Sequence, residues 1–303
     1  VGRLAQTFVA VSIGWIIVGC GDDGGGSVDT EPGTGGSEGS SDPTSATSLT
    51  STTTSTSGTT TTSTSTTTTG PDASGFDDEF DDAATLDDWT RLHEVEGDPP
   101  PYELLDIDGT TPGQLTLIPE AGGWYGEFDG PFLYKMVSGD FVVEVAVAAN
   151  RRGQDGGPPE MLYNSAGLMA RDPASGDGRE NWIIHNVGRQ SLEVGVATEG
   201  KTTTNSQSTL MLTPGTWSGR LRLCRVGSQF LLARQLSDES GWMQTHSYNR
   251  ADMPNELQVG MMVNGWNSNG STPDLGLVPD VVGTFDYIRL WRPDAGAASC
   301  TAG

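Results

Sequence analysis

From Phe76 onward the chain alternates apolar and polar residues in short runs. Phe141-Val142-Val143-Glu144-Val145-Ala146-Val147 is the clearest, and Ser165-Ala166-Gly167-Leu168-Met169-Ala170-Arg171 is another. A period of two over a few residues marks a strand with one face buried. The same pattern predicts strands at 89–95, 102–107, 114–118, 132–137, 181–186, 191–196, 217–226, 230–236, 242–248, 257–263 and 285–291. Gly, Pro, Asn and Asp fill the gaps, and Val226-Gly227-Ser228-Gln229-Phe230 is a tight hairpin signal. No stretch sustains a 3.6-residue apolar period. Strands this short and numerous predict an all-β, two-sheet antiparallel sandwich or jelly roll.

Before Phe76 the pattern is different. Residues 8–18 form one unbroken apolar block behind Arg3, too short for a membrane span of about 20 residues. Residues 1–19 therefore read as a signal peptide. Residues 20–75 hold almost no apolar side chains: Gly and Asp dominate first, then a nearly pure Ser/Thr tract from Thr44 to Thr69. Such sequence cannot bury enough surface to offset its ordering entropy, so a disordered tether is expected. The globular domain is expected at 76–292, with a short tail at 293–303.

Ile17-Val18-Gly19-Cys20 resembles the lipobox of bacterial lipoproteins. The resemblance implies cleavage before Cys20 and acylation of that residue, so that the membrane is a partner through the lipid. Gly21 in the following position, where inner-membrane retention uses Asp, implies the outer membrane or cell surface of a Gram-negative bacterium.

Composition narrows the partners. The 303 residues carry 40 acidic against 16 basic side chains, a formal charge of -24. Such a chain repels nucleic acid and favours cations or neutral partners such as sugars. The three histidines are scattered, and no zinc spacing, nucleophile elbow, phosphate loop or dinucleotide fingerprint is present. Beyond Cys20 there remain Cys224 and Cys300. Export and the even count favour a disulfide between them, two free thiols being the other reading.

Five segments together resemble the concanavalin A-like lectin/glucanase superfamily: Phe76-Asp77-Asp78-Glu79-Phe80, 139–145, 166–171, 221–230, and Phe285-Asp286-Tyr287-Ile288-Arg289-Leu290. They are most similar to the small jelly-roll domains at the C-terminus of family 43 β-xylosidases. Glycanases of the superfamily carry an acidic triplet on one strand, and this chain has none. A hydrolase would need a cross-strand pair such as Glu144 and Glu193. Alternation groups Gly167, Met169 and Arg171 on one face, beside either Asn181, Ile183 and His185 or the opposite set with Trp182 and Asn186. With Trp124, Tyr125, Asn264 and Trp266 in Gly/Asn-rich loops, these supply aromatic faces and hydrogen-bonding groups for a sugar. The expected ligand set is thus Trp124, Tyr125, Arg171, Trp182, His185, Asn264 and Trp266. The resemblance also implies a structural Ca²⁺ held by Asp77, Asp78 and Asp286, where the terminal strands meet. Fold and location point first to a surface-tethered, carbohydrate-binding module that does not cleave its ligand. A glycoside hydrolase and an adhesion protein without a small ligand are the alternatives.

Overall fold

The computed structural model describes residues 75–120, 122–153, 156–176, 178–266, 278–293 and 300–301, all within the compact unit Ser65–Gly303. The predicted signal peptide, Cys20, the tether up to residue 74 and most of the tail lie outside the described residues. Among the described residues no helix is long and apolar enough to cross a membrane.

Fourteen strands pair antiparallel into two seven-stranded sheets. The front sheet runs β1 (Thr90–Arg91), β4 (Phe132–Ser138), β13 (Glu256–Gly265), β6 (Asn164–Arg171), β7 (Trp182–Ser191), β8 (Gly195–Thr204), β9 (Gln207–Pro214). The back sheet runs β12 (Met243–Asn249), β11 (Gln229–Gln235), β10 (Ser218–Val226), β5 (Phe141–Arg151), β14 (Val281–Trp291), β3 (Leu115–Pro119), β2 (Tyr102–Ile107). The expected two-sheet sandwich is what the chain forms.

The core between the sheets follows the alternation. Val143, Val145 and Val147 of β5 point inward against Leu168, Val259 and Met261 of the front sheet, while Glu144, Ala146 and Ala148 point outward. Strand β14 keeps Phe285, Ile288 and Leu290 all inside by a bulge between Phe285 and Tyr287. The extra residue, Asp286, has no partner in β5 and stands out from the strand. The Gly227-Ser228 turn forms as the sequence predicts, with Val226 opposite Gln229 and Gly227 at φ 58°. Cys224 and Cys300 form a disulfide with Cα atoms 5.8 Å apart.

Two expectations need correction. Residues 89–95 are not one strand: β1 is two residues long and is followed by a single helical turn, α1 (Leu92–Glu96). Residues 191–196 are not a strand either. Strand β7 continues to Ser191, the chain turns, and a long hairpin of β8 and β9 follows, closed by Asn205 and Ser206 at φ 46° and 63°. Two successive left-handed residues suit a two-residue hairpin, but Asn-Ser is a weaker signal for it than Asn-Gly.

The acidic opening segment is a latch. Asp78 is buried and pairs through its backbone with Ile288. Its Oδ1 accepts from Phe80 N and Thr85 Oγ1 and its Oδ2 from Trp89 Nε1, at 2.9, 3.1 and 2.9 Å. Asp77 accepts from Leu290 N at 2.7 Å. Asp286 belongs to the outer surface of β14. Asp78 already accepts three hydrogen bonds, and among the described residues Asp77, Asp78 and Asp286 do not come together as a metal-holding group, so this set does not fit Ca²⁺, which needs a shell of oxygens around one point.

Candidate functional site: the strapped face of the front sheet

The register of β13, β6, β7 and β8 sets the rows of side chains on the outer face of the front sheet. One row holds Gln258, Arg171, Trp182 and Thr203, and the row two steps further along holds Met262, Gly167, Asn186 and Glu199. Asn264, Ser165, Gly188 and Ala197 make the row after that. Of the two alternatives open in the sequence, the face therefore carries Trp182 and Asn186. His185 is on the other side. Its ring nitrogens lie 3.1 Å from the carbonyl oxygens of Glu199 in the front sheet and Ala233 in the back sheet. It ties the sheets together and is withdrawn from any ligand. Full burial pushes its pKa down to about 3, against the pull of those carbonyls.

A nine-residue strap, 122–130, crosses this face. Trp124 N donates to Asn264 Oδ1 at 2.6 Å, Lys201 Nζ donates to Trp124 O at 2.9 Å, and Gly126 N donates to Ser208 Oγ at 2.8 Å. These bonds run from β13 over β6 and β7 to β8 and β9. The Trp124 ring is fully buried, edge-on to Phe132 and Trp182 at 6.1 and 6.2 Å, and packs with Met169, Ile184 and Met262. Trp124 and Trp182 are thus an apolar anchor for the strap and present no free ring face. Tyr125 and Phe128 are the exposed aromatics of the strap, at 49% and 43% exposure. Phe128 meets Trp266 edge-on at 5.5 Å, and Asn264 donates to Tyr163 O. Gly167 leaves no room for a ligand: a Cβ there would lie 2.2 Å from His185 O and 2.5 Å from Asn186 Cα. Its role is close approach of β6 to β7.

At one end of the strap Arg171 is buried at 2% exposure. It grips Glu180 through two bonds of 3.0 Å and reaches Glu96 at 2.8 Å and Gln258 at 3.1 Å. Beside it the carboxylates of Glu96, Asp98 and Asp129 lie within 4.8 Å of one another. Burial raises the pKa of Glu96, with Arg171 opposing and Asp129 and Glu180 adding. Burial, then Asp98 and Glu180, raises that of Asp129.

Beyond the strap the chemistry changes. Glu199, at 1% exposure, pairs with Lys201 at 2.8 Å and accepts from Asn186 at 3.1 Å, both on Oε1. Gln190 Nε2 donates to Asn186 Oδ1 at 2.6 Å. Three buried oxygens of this neighbourhood have no hydrogen-bond partner: Glu199 Oε2, Gln190 Oε1 and Ser165 Oγ. Gln190 Oε1 and Glu199 Oε2 accept, and the Ser165 hydroxyl can donate or accept; the three surround Gly188 and Ala197 and lie on the face crossed by Lys201 and the strap. Leaving such atoms unpaired costs stability, so each calls for an explanation.

Glu144 and Glu193 do not meet. Glu144 is on the outer face of the back sheet, with Oε2 held by Arg222 Nε at 2.8 Å and Oε1 accepting from Tyr287 OH at 2.6 Å. Burial and this carboxylate push the Tyr287 pKa up to about 12. Glu193 is exposed in the turn between β7 and β8 of the front sheet. A hydrolytic pair of these two is excluded by their sheets. The structure does bring Trp124, Tyr125, Arg171, Trp182, Asn264 and Trp266 to one strapped face. Sequence reasoning missed Glu199 and Lys201. Their Glu-x-Lys spacing would have placed both on one face had residues 197–203 been recognised as strand.

No family model matches the chain, and no curated protein sequence matches it. Among solved structures the chain is similar to a xylan β-1,4-xylosidase from Bacillus halodurans, at TM-score 0.53 and 16% identity over 71% of this chain and 38% of that one. It is also similar to a Bacteroides ovatus protein titled xyloglucan PUL GH43B, at TM-score 0.51 and 15% identity over 72% and 39%. A functionally unknown protein from Saccharomyces cerevisiae aligns over 99% of its own length at TM-score 0.48 and 18% identity. The chain thus aligns with well under half the length of either of these two proteins. At these identities the likeness establishes the sandwich fold, and the fold hosts many functions.

Proposed function

We propose that the strapped face of the front sheet binds a neutral carbohydrate without cleaving it. The observation that carries the reading is the set of three buried, unpartnered oxygens, Ser165 Oγ, Gln190 Oε1 and Glu199 Oε2. With the indole N–H groups of Trp124 and Trp182, which also lack a partner among the described residues, these oxygens call for a ligand that both donates and accepts, as a hydroxyl group does. Lys201 neutralises Glu199 at 2.8 Å, which disfavours a charged ligand. Tyr125 and Phe128 offer exposed rings at the edge for the C–H face of a sugar. The carbohydrate-active names of the two fold neighbours agree with this class, at identities that carry only the fold. A glycan array read alongside reducing-end release tests the proposal: binding without release supports it, and release overturns the non-catalytic part.

One observation favours hydrolysis as a second reading. Glu96 and Asp129 have raised pKa values beside other carboxylates, the pattern of an acid next to a base. Turnover abolished by Asp129→Asn, with ligand binding retained, would establish it.

The domain is proposed to be exported and lipid-anchored at Cys20, on the strength of Ile17-Val18-Gly19-Cys20 and the tether. Loss of radiolabelled palmitate incorporation in Cys20→Ala is the expected outcome. Palmitate retained in that variant would contradict the anchor.

A further inference from the structure

The outer face of the back sheet has a depression of about 470 Å³, at the scale of small-molecule sites. Ala146 and Ala148 of β5 form its floor, between strands β10 and β14. Because those strands are two spacings apart, the walls stand about 9–10 Å from each other. On the β10 side is Arg220, opposite Ala146, held by Gln235, over the Trp242 ring at 5.4 Å and 3.8 Å from the Glu144 carboxylate. On the β14 side are Thr284, opposite Ala148, and Asp286, with Gln114 of the β2–β3 connection beside them.

A regular β14 would set one residue outward after Phe285; the bulge sets two, Tyr287 opposite Ala146 and the unpaired Asp286, whose carboxylate stands on the rim. Among the described residues no hydrogen bond or ion pair engages that side chain, whereas Glu239, the other acidic group of the rim, is bound by Arg234 at 3.2 Å and by Leu236 N at 2.7 Å. The depression thus combines a methyl floor, a free carboxylate on one wall and a tethered guanidinium on the other. Its lining sets Arg220 against Asp286, with Glu239 already paired to Arg234. It can accept from and donate to the same ligand.

We infer that this depression is a second saccharide site, open where the front one is strapped, that takes one sugar unit of a neutral chain with its hydroxyls between Asp286 and Arg220. The ligand class rests on the carbohydrate reading of the front face; the location does not.

The test is an amide chemical-shift titration of the full chain with xylotetraose, cellotetraose and mannotetraose in turn. At least one is expected to shift Thr284 and Asp286. Ala148→Phe, which fills the floor from the outer face, should remove those shifts and keep any at Ser165 and Tyr125. Asp286→Ala, at an exposed side chain that nothing engages, should weaken them about tenfold, the value of one charge-assisted hydrogen bond. Shifts confined to the front face overturn the second site and leave the front reading intact. Shifts confined to the back face, unaltered by Ser165→Ala, uphold it and overturn the front reading. No shift with any of the three overturns both.

Discussion

The two outer faces of the sandwich hold comparable residues in opposite ways. On the front face Arg171 is sealed by Glu180, Glu96 and Gln258, a tryptophan-anchored strap lies across the strands, and three oxygens stay unpaired. On the back face Arg220 is half-exposed, the floor is alanine, and a carboxylate is free to solvent. The front face is costly to build and the back depression is not. That contrast teaches where stability and binding should separate. Mutations on the front face change both, except at atoms that contribute nothing to folding, and mutations in the back depression change binding alone.

The largest expected difference comes from the two arginines. Arg171→Met strands Glu180 and part of Glu96 without their cation, and urea unfolding should show a loss of about 3–5 kcal/mol. Arg220→Met should stay within about 0.5 kcal/mol, as for other surface changes. Equal losses would erase the contrast. Next comes the disulfide, which closes a 76-residue separation beside the back-face cluster of Val142, Leu231 and Ala233. Replacing Cys224 and Cys300 with Ser should cost about 2–4 kcal/mol. It should leave any front-face binding unchanged.

A third effect appears only in acid. His185 has its pKa depressed by burial to about 3, so it stays neutral in the fold while the unfolded chain takes up a proton near its ordinary value. Its contribution is complete above that value and is lost as pH falls toward about 3, at up to about 1.4 kcal/mol per pH unit. His185→Gln should flatten this acid limb of a stability profile. The smallest change is expected from Asp129→Asn. The Asp129 pKa is raised, so its charge opposes folding at neutral pH and protonation relieves it. The variant should therefore be slightly more stable near pH 7 and indistinguishable in acid. A variant less stable than the wild type at pH 7 would contradict the sign.

Much of the fold is legible in the chain because one face of most strands is apolar. Val143, Val145 and Val147 announce β5, and Gly227-Ser228 announces the β10–β11 hairpin. The hairpin of β8 and β9 is hidden because Thr202–Thr204 and Ser208–Thr209 dilute the apolar period, and because Asn-Ser closes the turn. The bulge at Asp286 is invisible for a different reason: it matters only through pairing with β5. The site is half legible. Aromatic and amide residues in Gly-rich loops do mark the strapped face. Burial of Trp124 and Trp182, the inward turn of His185, and the separation of Glu144 from Glu193 all depend on register and sheet order, which local pattern does not encode.

Ser165→Ala tests the central claim most directly. Its Oγ is buried without a hydrogen-bond partner among the described residues, so removing it should leave unfolding unchanged or raise stability by up to about 1 kcal/mol. Calorimetric titration with the saccharide bound best on the array should show affinity reduced about tenfold. Unchanged affinity in a variant of unchanged stability would contradict the account, since the unpaired oxygens would then have no ligand to serve.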